Sequence, residues 1–270
     1  MSTTTNAHVA VGDALIPSRA GRRWDGFGNL LRKELGQWWT TKLWWIQMLI
    51  WVGLIDGVSF IVAMDRGEMT IGEHFFEATR TPFLMSAVVV GIGVVVTIQS
   101  AIIGEKDLGT AAWVMSKPAS RASFVMSKIV AHSIGFLVTG VVVPAVVYAV
   151  ISATQFPGML DYGDYLLAVS VIALSTLFYV ALTICLGTLF NGRGAVAGIG
   201  IAFILSGQFF NGMLPTWLVM RTPWPLGEVA ASFSVATAPD WSRTLPIVTT
   251  AVAAVAFCVL AVWRFGREEF

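Results

Sequence analysis

The chain has 270 residues, of which 56% are hydrophobic and only 12% charged, with a net charge of +1. A water-soluble domain carries about a quarter charged residues, so this composition excludes an ordinary soluble globule and puts most of the surface in lipid. The small net charge leaves no bulk basic field for nucleic acid, and none is expected as a partner.

Residues 1–23 are polar and hold no long apolar core, so they read as a disordered tail and not as a secretory signal peptide. From Trp24 to Thr40, Phe27, Leu30, Leu31, Leu35, Trp38 and Trp39 recur at helical spacing. Asn29, Arg32, Lys33, Gly36 and Gln37 fall on the other side. This pattern predicts an N-terminal amphipathic helix in the membrane interface, with its basic residues near anionic lipid.

Six later stretches reach the roughly 20 apolar residues that a membrane-crossing helix needs. They lie at about 41–63, 83–103, 129–152, 166–190, 195–213 and 244–263. Asn191–Gly194 leaves room only for a tight turn, so the fourth and fifth spans form a hairpin. Read as soluble helices, six such stretches would leave no polar shell to cover them. The predicted fold class is an all-α integral membrane protein with six transmembrane helices. Cys185 and Cys258 each sit inside an apolar run and read as small core residues.

Two connections carry information. Gly104–Lys128 is too long for a turn and too apolar for a solvated linker. It reads as a short cytoplasmic helix ending before Pro118, with Ser120 capping the next helix. Trp113, Val114 and Met115 in it lie on the bilayer or dock into another protein. Leu214–Arg243 holds four prolines and the tryptophans Trp217, Trp224 and Trp241; its middle, Leu226–Val235, is expected to form a short helix dipping into the outer interface. Orientation follows from the basic residues. The N-terminal segment, the second-to-third connection, the turn at Arg193 and the tail after Arg264 are rich in Lys and Arg, whereas the other side has only Arg66, Arg80, Arg221 and Arg243. The basic side is expected to be cytoplasmic, with both termini there.

Catalytic patterns are absent from the sequence. There is no GxxxxGK[ST] loop to cradle a phosphate. Leu205-Ser206-Gly207-Gln208 lacks one glycine of the ATPase signature LSGGQ and lies within the fifth span, where nucleotide does not reach. His8, His74 and His132 have no metal-site spacing. The ionisable residue deepest in a span is Asp56. An intramembrane acid faces a bundle interior or cavity, but Asp56 is also close enough to Met64 to reach the outer headgroups, and both readings stand. Gln99, Gln208 and Asn211 are further pathway candidates, or else interhelical hydrogen-bonding groups. Gly198, Gly200, Gly207 and Gly212 make the fifth span a candidate dimer contact.

The second-to-third connection resembles that of the membrane subunits of ABC exporters in the ABC-2 family. The pattern runs Glu105, Gly109-Thr110, Trp113–Met115, Pro118, Arg121 and Lys128. Leu31-Arg32-Lys33-Glu34-Leu35 is similar to that family's start, as is the long outer connection before the last span. The likeness covers about residues 24–266 and implies that 24–270 is an ABC-2 type transmembrane domain in the cell (plasma) membrane. It implies a non-catalytic permease subunit that forms the translocation pathway of an exporter, pairs with a second permease subunit and is driven by a cytoplasmic ABC ATPase subunit. ATP and Mg would be bound by that partner, with no cofactor in this chain. Glu105, Gly109, Thr110, Trp113, Pro118 and Arg121 become the coupling candidates, with a smaller contact from the fourth-to-fifth turn. The cargo stays open. The alternatives are a stand-alone secondary transporter or channel coupled to an ion gradient at Asp56, and a non-transporting scaffold.

Overall fold

The computed structural model describes residues 24–65, 69–109, 119–210, 212–235 and 242–268, and the regular structure among them is all helical. In chain order the helices are α1 Phe27–Thr40, α2 Leu43–Met64, α3 Ile71–Asp107, α4 Arg121–Gln155, α5 Tyr162–Leu189, α6 Arg193–Phe210, α7 Thr216–Val219, α8 Leu226–Ser234 and α9 Thr244–Gly266. Six of them, α2 to α6 and α9, are long and apolar enough to cross a membrane. The chain is a multi-pass membrane protein.

Two helices start well before the apolar stretches that announce them. Helix α3 begins at Ile71, because Thr70 caps it: its hydroxyl accepts from the Glu73 amide while the Glu73 carboxylate accepts from the Thr70 amide. Pro82 is accommodated inside that helix without ending it. Helix α4 begins at Arg121, where the Ser120 hydroxyl accepts from the Ser123 amide, as the sequence predicts. Hydropathy locates the part of a helix that is apolar, and polar first turns such as Glu73-His74 fall outside that window.

Helix α5 is apolar on every side and is the most buried of the six. It packs against α3, α4, α6, α8 and α9. Its hydroxyls cost little inside, since Thr176 and Thr183 donate to carbonyls of their own helix. One buried cluster joins Trp51, Val94, Ile98, Phe124, Phe136 and Phe178. A second joins Phe83, Tyr148, Tyr165, Ile172, Leu226 and Val229.

Helix α8 forms where the sequence places a short helix, but its apolar face is covered by α3 and α5. The Arg80 guanidinium grips the Glu228 carboxylate through both Nε and Nη2, which ties α3 to α8. Trp224 donates its indole N–H to the Phe203 carbonyl of α6 at 2.9 Å.

Close helix approach rests on glycine notches that receive aromatic rings. A Cβ on Gly93 would overlap the Trp51 ring, one on Gly135 the Trp38 ring, and one on Gly207 the Trp224 ring. Gly200 is closed by Val95. Gly200 and Gly207 are thus consumed by packing within the chain, and of the expected α6 dimer face only Gly198 and Gly212 remain open. Gly93→Leu should displace Trp51 and lower stability by about 1–3 kcal/mol. Gly198→Leu, with nothing within 4 Å of the new Cβ, should leave the thermal midpoint in detergent unchanged.

Candidate functional site

Residues Glu105, Lys106 and Asp107 close α3, and each reaches a different part of the chain. Glu105 accepts from Lys128 of α4 at 2.8 Å and from Lys33 of α1 at 3.0 Å. Lys106 pairs with Glu268, beyond α9, at 2.6 Å. Asp107 pairs with Arg193 at the α5–α6 turn, at 3.4 Å. Gly109 then takes a φ of 67°, the left-handed conformation that suits a glycine just past a helix end.

The centre of this junction is Lys128. Its side chain is 3% exposed, and its ammonium lies 2.9 Å from Glu34 Oε1 and 2.8 Å from Glu105 Oε1. Glu34 is itself buried, the one buried residue of α1. Lys33 adds a second cation, 3.7 Å from Glu34. Two carboxylates and two ammonium groups therefore balance. Partial burial works against the Lys33 charge, but the Glu105 hydrogen bond and the fields of Glu105 and Glu34 outweigh it and hold the ammonium above the ordinary lysine range.

The neighbouring contacts close the same end of the bundle. Arg121 donates to the Gly266 carbonyl at 2.8 Å. Phe124 stacks on Phe265 with ring centroids 5.0 Å apart. The Ser120 amide donates to the Asp25 carbonyl at 3.0 Å. Both ends of the second-to-third connection are thereby fixed to α1, α4, α9 and the α5–α6 turn.

Of the predicted coupling residues, Glu105, Gly109 and Arg121 fall in this junction, while Thr110, Trp113 and Pro118 lie outside the described residues. The predicted pathway residues among the described ones, Asp56, Gln99 and Gln208, share no contact or cavity. Gln99 turns its amide onto the Val96 carbonyl of its own helix, Gln208 is exposed on α6, and Asn211 lies outside the described residues. Asp56 is buried at 2% exposure and lines a cavity of about 20 Å³, together with Pro82, Ser86, Pro144, Tyr148 and Tyr165. Of the two readings of this residue, the inward-facing one holds. Among the described residues no three His, Cys, Asp or Glu side chains gather to hold a metal ion.

The sequence reading missed Lys106, Asp107 and Glu268 as junction residues; it named Lys33 and Glu34 in the entry-helix pattern and Lys128 in that of the second-to-third connection, but paired none of them. A signal for two of them exists. Glu34 stands in line with Leu30 and Trp38 at four-residue spacing, and Lys128 in line with Phe124, so each charge interrupts an apolar stripe. Lys128→Met should cost about 3–5 kcal/mol, because it leaves the buried Glu34 with only the partly exposed Lys33, 3.7 Å away. Adding Glu34→Gln to that variant should recover most of the loss. Arg193→Ala breaks a half-exposed pair and should cost under about 1 kcal/mol. Thermal unfolding of the purified variants reads all three.

No curated protein matches the chain. A family model matches residues 44–270, and the chain therefore belongs to the family described as Protein of unknown function (DUF2705).

Proposed function

We propose that this chain is the permease subunit of an ATP-binding cassette exporter, driven by a separate cytoplasmic ATPase subunit. The observation that carries this reading is the junction at Glu105-Lys106-Asp107. Three consecutive charges lock the start of the second-to-third connection to α1, α4, the α5–α6 turn and the segment after α9. A push on that connection would reach several spans together and not bend a single loop. Coupling of this kind needs a rigid lever, and paired charges held by packed helices supply one.

In this reading the junction lies on the cytoplasmic side, where the sequence concentrates Lys and Arg, and both termini share that side. Helix α1 lies along the inner interface of the plasma membrane. Trp39, Trp44 and Trp45, which pack edge to face and tilted on one another, would sit at headgroup depth. A second permease subunit, identical or not, completes the pathway, and the exposed valines Val248, Val252, Val255 and Val259 of α9 face lipid or that partner. ATP and Mg are bound by the ATPase subunit, and this chain has no catalytic role.

The Asp56 cavity favours a second reading, transport by this chain alone on an ion gradient. The two separate cleanly. Affinity purification of the tagged chain from membranes should bring down a nucleotide-hydrolysing subunit, and replacing Trp113, Val114 and Met115 together by Asp should abolish that recovery without lowering the thermal midpoint of the chain. Gradient-driven transport by the purified chain in liposomes, with no ATPase recovered, would sink the exporter reading. Cysteines introduced near either terminus should react with an impermeant thiol reagent only after the cells are opened.

A further inference from the structure

Asp56 is the last residue of a π-helical stretch, Val52–Asp56, inside α2. Two further stretches of the same kind occur, Ser86–Val90 in α3 and Leu137–Val142 in α4. Each contributes to the wall of one cavity, through Asp56, Ser86 and Val141. Proline interrupts the same wall twice, at Pro82 and Pro144. A π-helical turn is rare and gathers at functional sites, and here three meet around one acid.

Neither carboxylate oxygen of Asp56 has a hydrogen-bond partner among the described residues. The titratable groups that face it are Tyr148 from α4 and Tyr165 from α5. Both hydroxyls are committed elsewhere, Tyr148 with Thr79 at 2.6 Å and Tyr165 as donor to the Ala145 carbonyl at 2.8 Å. Among the described residues no Lys, Arg or His lines the cavity. The rest of the wall is apolar apart from Ser86.

An ionised carboxylate in such surroundings is heavily penalised, because nothing replaces the water it has lost. A space of about 20 Å³ admits about one water molecule. A metal cation bound through oxygen needs about six ligands, and one carboxylate, one serine hydroxyl and one water fall short. The ligand that fits is a single proton.

We propose that Asp56 is a proton-binding site at the heart of the bundle. One carboxylate oxygen takes a proton from water, forming an O–H bond and a neutral acid; release returns the proton to water and restores the carboxylate. Release requires water to reach the cavity, which the irregular stretches of α2, α3 and α4 can admit by separating. The site stands whether or not the exporter reading holds, since it involves this chain alone.

The test is infrared spectroscopy of the full chain in phosphatidylcholine–phosphatidylglycerol vesicles at neutral pH. Wild type should show a carbonyl stretch of a protonated carboxylic acid that shifts down in heavy water. The band should vanish in Asp56→Asn and return, displaced, in Asp56→Glu. Wild-type protein should also take up one equivalent of dicyclohexylcarbodiimide, which attacks buried acids in their protonated form, and peptide mass mapping should place it on Asp56. This second measurement needs no variant to fold. Absence of the band in wild type, its persistence in Asp56→Asn, or labelling that spares Asp56 would each overturn the proposal.

Discussion

The arrangement of this protein hangs on one ammonium group. Lys128 lies between the carboxylates of Glu34 and Glu105, and these three residues belong to α4, α1 and the end of α3. Buried charges are tolerated only when they are closely paired. Each carboxylate therefore fixes where its helix can sit. Helix α1 cannot slide along α4 without leaving Glu34 exposed to an apolar surface, and α3 cannot turn about its axis without withdrawing Glu105. The aromatic contacts of Trp38 with Phe136 and His132 of α4 reinforce the same placement. Apolar packing brings these helices together, but it is permissive in register. The charge pairs select one register.

The buried surroundings of Asp56 follow the opposite rule. Around Asp56 there is no compensating cation among the described residues, the helices are irregular, and the two buried clusters meet: the wall takes Ile55 from one, and Phe83, Tyr148 and Tyr165 from the other. Closely paired charges grip one end, whereas the acid in the interior has no charge partner among the described residues. Local irregularity in helices is where small displacements are absorbed. A bundle built this way is stiff where it is gripped and yielding where it is hollow.

Much of this was legible in the sequence. Apolar runs of 18 or more residues reveal a spanning helix with little ambiguity, and all six were visible. The Ser120 cap was visible because it is a local pattern, and the equally local Thr70–Glu73 pair could have corrected the start of α3. The Glu34–Lys128 contact joins residues 94 positions apart, and only the phase of two helices against each other creates it. The π stretches were hidden for a different reason. Val52–Asp56, Ser86–Val90 and Leu137–Val142 are valine-bearing, mostly apolar runs like the rest of their spans, so nothing in their residues marks the wider turn. Gly200 and Gly207 of α6 receive Val95 and Trp224 of the same chain, which sequence does not reveal because a small residue signals close approach without saying where the visitor comes from.

The neutrality of the Lys33–Glu34–Glu105–Lys128 group has an electrical meaning. A membrane voltage does work on a charge that moves across it, about 2.3 kcal/mol per elementary charge for each 100 mV. Two positive and two negative groups that travel together do no net work. The charges that fix the register of α1, α3 and α4 therefore add nothing to the net charge of that end of the bundle, whose response to voltage is left to other residues such as Arg121.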